Sequence, residues 1–169
     1  GGMKVVTDRV RAADDDNPLG YYEAERAKKL PSDSSWLFDC RGKAVKIVSG
    51  LLRHVPAGLP CKVIVMRRAM DEVLRSQRVM LERLGRQGSG KSDQEMLEHF
   101  RNHLQRVDRW LTERKEMDSL YIDFKDVIED PLRNAQKVNQ FLGNSLKPAK
   151  MAAAVEKPLY RQRTDGGED

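Results

Sequence analysis

Cysteine is scarce in this chain: Cys40 and Cys61 stand alone, with no C-x-x-C pair. That scarcity excludes a thiolate zinc site and a disulfide scaffold, and it fits a reducing, cytoplasmic setting. Histidine is nearly as rare, limited to His54, His99 and His103. His99 and His103 are four residues apart, which places both on one helix face, but no third ligand accompanies them and no metal is expected. Aromatic residues make up 6% of the chain and do not interleave with basic ones, so a stacking platform for single-stranded nucleic acid is excluded. No apolar run approaches the roughly 20 residues of a membrane span, and no leader peptide is visible. Internal repeats are absent too.

Charge and a modest core are what the chain does have. Its 169 residues are 34% charged and 39% hydrophobic, the balance of a soluble globular domain. One domain over residues 1–163 is expected, with 164–169 as a disordered acidic tail. The net charge of +5 suits a small anionic ligand and does not by itself indicate nucleic acid.

The organising stretch is residues 62–77, KVIVMRRAMDEVLRSQ. Val63-Ile64-Val65-Met66 is too short for a helix and rich in β-branched residues, so it reads as a strand buried on both faces. From Asp71 the pattern turns helical, with Val73, Leu74, Gln77, Met80 and Leu81 on one face. Arg67 and Arg68 sit where the strand gives way to the helix. In an open α/β sheet, ligands bind beyond the carboxyl ends of strands, and the planar guanidinium matches phosphate or sulfate. The pair is therefore a candidate anion site; the competing reading is a surface pair bonded to a local carboxylate such as Asp71.

Elsewhere the sequence predicts a short strand near residues 4–8, a turn at Asn17-Pro18-Leu19-Gly20 and a short helix over 23–30 ended by Pro31. It predicts a strand over 43–52 (KAVKIVSGLL) and a turn over 56–60. Ser92-Asp93-Gln94-Glu95 is a capping box that opens a long helix ending near Lys115. A strand over 120–124, a turn over 126–130, a helix from Pro131 to Gly143 and a last helix over 147–155 complete the chain. Strands alternate with helices, which gives an α/β class with a mainly parallel sheet flanked by helices. Trp36 and Trp110 read as packing residues.

Residues 85–92, GRQGSGKS, match the phosphate-loop pattern G-x-x-x-x-G-K-[ST] letter for letter. That loop works only when it leaves a buried strand and opens a helix, so that backbone N–H groups converge on phosphate. Here the preceding segment has helical periodicity, so the stretch reads as a surface loop that caps the next helix.

The order DRVRAADDDNPLGYYE, KAVKIVSGLL, CKVIVMRRAMDEVLRSQ and SLYIDFKDVIEDPLRNAQKVNQFLG resembles bacterial sulfotransferase-family proteins. The resemblance implies a P-loop NTPase-like sulfotransferase fold. It also implies transfer of a sulfuryl group from 3′-phosphoadenosine 5′-phosphosulfate (PAPS) to a hydroxyl or amine, with release of adenosine 3′,5′-bisphosphate. The implied partners are this nucleotide donor and an acceptor of unknown identity; no nucleic acid and no membrane are implied. Arg67 lies where the family places an arginine on the 3′-phosphate. The family's partner serine falls eight residues later, at Arg75 counted from Arg67 and at Ser76 counted from Arg68, so Arg67, Arg68 and Ser76 are all candidates. Arg161 and Arg163 resemble late basic residues that close over the same phosphate. Asn17, Tyr21, Tyr22 and Glu23 fall in the loop near the family's acceptor pocket.

Two departures accompany the match. The family's 5′-phosphosulfate loop, which normally precedes the first segment, has no counterpart in these residues, so an N-terminally incomplete fold and weak or absent turnover are expected. The slot of the family's catalytic histidine falls at Gly50, with His54 out of register, so no catalytic residue is assigned. The alternative is a non-catalytic binding or assembly module, in which an open sheet edge pairs with another chain to give a homodimer.

Overall fold

The computed structural model describes residues 1–10, 12–14, 18, 20–83, 85, 90 and 92–156. Nine regular elements follow one another: β1 (Lys4–Val5), β2 (Lys43–Ala44), β3 (Cys61–Arg67), α1 (Met70–Arg83), α2 (Asp93–Glu113), β4 (Met117–Asp123), α3 (Phe124–Glu129), α4 (Pro131–Phe141) and α5 (Pro148–Ala152). Three 3₁₀ segments, Glu25–Lys29, Ser35–Cys40 and Ser49–His54, fill the first third. The α/β class expected from the sequence holds. The strands form two small sheets, β1 with β2 and β3 with β4. The first is parallel, with Lys4 opposite Lys43 and Val5 opposite Ala44. In the second, the Cys61 N–H bonds the Glu116 carbonyl at the start of both strands and Arg67 lies over Tyr121 near their ends, so these two also run in the same direction.

Local chemistry explains the helix boundaries. The Ser92 N–H and hydroxyl both donate to Glu95 Oε2, at 2.7 and 2.8 Å, and the Glu95 N–H returns to Ser92 Oγ at 3.3 Å. This capping box starts α2 as expected. Asp130 caps α4 by accepting from the Arg133 N–H at 3.0 Å, and Pro131 fills the first helical position, where its missing N–H costs nothing. Gly143 follows α4 with φ +89°, the conformation that ends a helix. Buried Asn134 ties α3 to α4, its amide donating at 2.9 Å to the carbonyls of both Asp126 and Asp130.

Three local expectations are corrected. The strand expected over 43–52 is only β2 before the chain turns into the 3₁₀ segment Ser49–His54; Val48 is 57% exposed, so this apolar run lacks the burial that would hold it extended. The turn expected over 126–130 is mostly helix α3, since Asp123 is extended and lets a helix start directly from the end of β4. The third concerns β3. Its burial alternates, with Ile64 36% and Met66 52% exposed. The Ile64 and Met66 face is open to solvent, and along its edges β4 is the sole hydrogen-bonded neighbour among the described residues.

The chain divides into two compact units, one of Gly1, Val63–Leu104 and Ser119–Asp169, the other of Gly2–Lys62 and Gln105–Asp118. The second unit holds Tyr21, Leu30, Trp36, Leu37, Val55, Val107, Leu111 and Met117 in its core. Arg114 clamps it: the guanidinium donates to the Val55 and Pro56 carbonyls and to Glu116, and lies 4.8 Å from the Trp110 ring. In the first unit the buried apolar residues among those described are Leu74, Ile122 and Ala135. No helix among the described residues is long and apolar enough to cross a membrane.

Candidate functional site

The β3–α1 corner carries both arginines, each set over an aromatic ring from the end of β4 or the start of α3. The Arg67 guanidinium lies 4.1 Å from the Tyr121 ring centroid and that of Arg68 5.2 Å from the ring of Phe124. Parallel strands bring their carboxyl ends side by side, which is why residues more than fifty positions apart meet here. Arg67 is exposed. Arg68 is partly buried and its Nε donates to Glu72 Oε2 at 3.0 Å. Glu72 is only 3% exposed, an unusual position for a carboxylate unless it is paired. Its partner, four residues earlier, lies just before α1 and reaches back to the helix's first turn.

Ser76 lies one further turn along α1 from Glu72 and is half-buried, whereas Arg75 is exposed. Glu72 and Ser76 thus share one face of α1, while Arg68 precedes the helix and reaches that face through its bond to Glu72. The carboxylate that engages the arginine pair is Glu72 and not Asp71, which is exposed. Sequence reasoning did not single out Glu72, Tyr121 or Phe124. The i,i+4 spacing of Arg68 and Glu72 was a usable signal for the first; the two rings depend on strand pairing.

The second group of candidates, Tyr21, Tyr22 and Glu23, lines a cavity of about 560 Å³ together with Thr7, Arg9 and Ala13. Tyr21 is 8% exposed, and its hydroxyl donates to the Asp14 carboxylate at 2.8 and 2.6 Å. Lys46 Nζ bonds the Tyr21 carbonyl at 3.0 Å and pairs with Glu23 at 3.1 Å, and the Thr7 hydroxyl donates to the Glu23 carbonyl at 3.1 Å. Tyr22 is 58% exposed. Tyr22 and Arg9 adopt φ of +50° and +57°, a region that costs a non-glycine residue roughly 1–3 kcal/mol and is most often kept where a ligand is handled. Arg9 escaped the sequence reading because nothing in its neighbours announces a left-handed backbone.

Asn17, Arg161 and Arg163 lie outside the described residues, as does most of the 85–92 motif. What precedes that motif is helix α1, so the strand that a phosphate loop requires is replaced by a helix. The His54 ring nitrogen Nε2 accepts from Arg53 Nε at 3.1 Å. His99 packs edge-on against Phe100, and no group of three metal-ligating side chains is found among the described residues. Trp36 is buried beneath the Arg26 guanidinium, the packing role expected of it.

The cationic corner lies beyond the carboxyl ends of two parallel strands, the place where ligands bind in open α/β sheets. The family model of the sulfotransferase domain matches residues 51–162, and the chain belongs to that family. The matched span contains the whole arginine corner and stops short of the Tyr21–Tyr22 cavity. No curated protein and no solved structure matches the chain.

Proposed function

We propose that this protein binds PAPS and serves sulfuryl transfer to a hydroxyl or amine acceptor, with Arg68 and Ser76 holding the 3′-phosphate and Arg67 flanking it. The observation that carries the reading is the Arg68 guanidinium held between Glu72 and Phe124 at the β3–α1 corner, with Ser76 one turn beyond Glu72 on α1. A forked cation beside a hydroxyl is a fit set of donors for a phosphate. Of the two counts that the family spacing allows, the one from Arg68 puts a serine at the partner position, one turn beyond the Glu72 that pairs with Arg68. PAPS, when bound, would supply the transferable sulfuryl group: the acceptor oxygen or nitrogen would bond to sulfur and release its proton to water as the bond from sulfur to the bridging phosphate oxygen breaks and adenosine 3′,5′-bisphosphate departs.

The acceptor is assigned to the cavity walled by Tyr21, Tyr22 and Glu23. The support is the cavity itself, walled by residues that the resemblance places near the acceptor. No residue is assigned as base. Isothermal titration tests the donor half directly: adenosine 3′,5′-bisphosphate should bind and adenosine 5′-phosphate should bind more weakly. No heat of binding at millimolar bisphosphate removes the reading. The assembly-module alternative draws on one observation, the exposed Ile64 and Met66 on β3; a stable dimer in light scattering without bisphosphate affinity is the outcome that favours it.

A further inference from the structure

We propose that Glu72 is the positioning residue of the donor site, a buried carboxylate that sets the Arg68 fork for the 3′-phosphate. The inference rests on the reading of Arg68 as the phosphate ligand. An arginine on a surface samples many rotamers, and fixing it on binding subtracts from affinity. Here the fixing is done beforehand. Glu72 takes the Nε edge at 3.0 Å, Phe124 supports the guanidinium plane, and Glu72 is itself immobilised by burial on α1. A guanidinium carries five donors, and the Glu72 contact is made on its Nε edge.

The placement is paradoxical on charge alone. A carboxylate beside a phosphate site opposes the phosphate, so a site built only for attraction would not keep one there, least of all where burial makes an ionised group costly. Its retention is explained if geometry is worth more to the site than the charge it subtracts. The two roles of Glu72 predict opposite signs, which makes them separable.

Bisphosphate affinity is measured on the full chain for the wild type and for Glu72→Gln, Glu72→Asp, Glu72→Ala and Arg68→Lys, with adenosine 5′-phosphate as reference ligand for each. Glu72→Gln keeps an acceptor within reach of Nε and removes the charge, so binding should be unchanged or tighter. Glu72→Asp keeps the charge and loses the reach, so binding should weaken by about two- to tenfold, the worth of one ordered long side chain. Glu72→Ala should weaken it similarly even though it removes the opposing charge. Arg68→Lys should cost about tenfold through the lost fork. In every case the change should fall on the bisphosphate and spare adenosine 5′-phosphate, a selectivity that general loss of structure would not produce.

If Glu72→Asp binds the bisphosphate as the wild type does, or Glu72→Ala binds it more tightly, the positioning role is overturned while the phosphate site stands. If the wild type does not bind the bisphosphate, or Arg68→Lys leaves binding intact, the reading of Arg68 falls and this inference falls with it.

Discussion

Arg67 and Arg68 are neighbours in sequence with different physical situations, and stability should tell them apart. Arg68 is the partner of a carboxylate that is 3% exposed. Arg68→Ala would remove that carboxylate's cationic partner, and breaking one side of a buried pair costs about 3–5 kcal/mol. Arg67 is exposed over Tyr121, and a cation over a ring at such a position is worth about 0.5–1 kcal/mol. Urea titration of the two alanine variants should therefore show a large fall in midpoint for Arg68 and a small one for Arg67. Equal falls would mean that the Glu72 pair is no more important than the ring contact. The Arg67-Arg68 pair was conspicuous in the sequence at the end of a β-branched run. The sequence left open an anion site or a pair bonded to a local carboxylate, and Arg68 does have such a partner in Glu72. Glu72 was within reach of the i,i+4 rule, yet the nearer Asp71 drew the attention, since burial is not written in a residue's type.

At the scale of elements, legibility follows locality. Helices α2 and α4 announce themselves through Ser92-Glu95 and Asp130-Pro131, interactions that span three residues or fewer and need nothing else to form. Strand β3 was found, but its environment was misjudged. An apolar run signals a strand buried on both faces only if something covers both faces, and cover is a tertiary fact. The open face makes a prediction. Met66→Thr on the exposed side of β3 should change stability by no more than about 0.5 kcal/mol, as surface substitutions do. Ile122→Ala at the 4% exposed position of β4 should cost about 2–5 kcal/mol through lost burial and the cavity left behind. Denaturant midpoints decide it, and a Met66→Thr penalty as large as that of Ile122→Ala would restore the two-sided strand.

The molecule as a whole is unevenly stocked. Of the buried apolar residues described, eleven belong to the unit of Gly2–Lys62 and Gln105–Asp118 and three to the unit that carries the arginine corner. The two units should therefore answer to different variables. Asp8, Asp33 and Glu116 sit below their ordinary values, and these three are in the better-packed unit. Asp8 is lowered chiefly by the backbone N–H of Glu25 and then that of Val10. Asp33 is lowered by the Ser35 hydroxyl and N–H. Glu116 is lowered by its own N–H first, then by that of Gly58. A carboxyl whose folded pKa is depressed contributes stability above its unfolded value, and the contribution is lost as pH falls through the folded pKa. The loss should begin near the ordinary values of 3.8 for aspartate and 4.5 for glutamate and continue below them. Trp36 and Trp110 both lie in this unit, so tryptophan fluorescence follows it, while helices α1, α3, α4 and α5 lie in the other and dominate the far-ultraviolet circular dichroism. On titration with urea at neutral pH, the dichroism should fall before the fluorescence changes. Adenosine 3′,5′-bisphosphate at about a hundred times its dissociation constant should add about 2.7 kcal/mol to the dichroism transition alone. Acidification should instead bring the fluorescence transition forward, an effect that Asp8→Asn reduces. Two curves that coincide under all three conditions would mean that the sparse unit borrows its stability from the other, and that the donor corner stands on a core it does not itself contain.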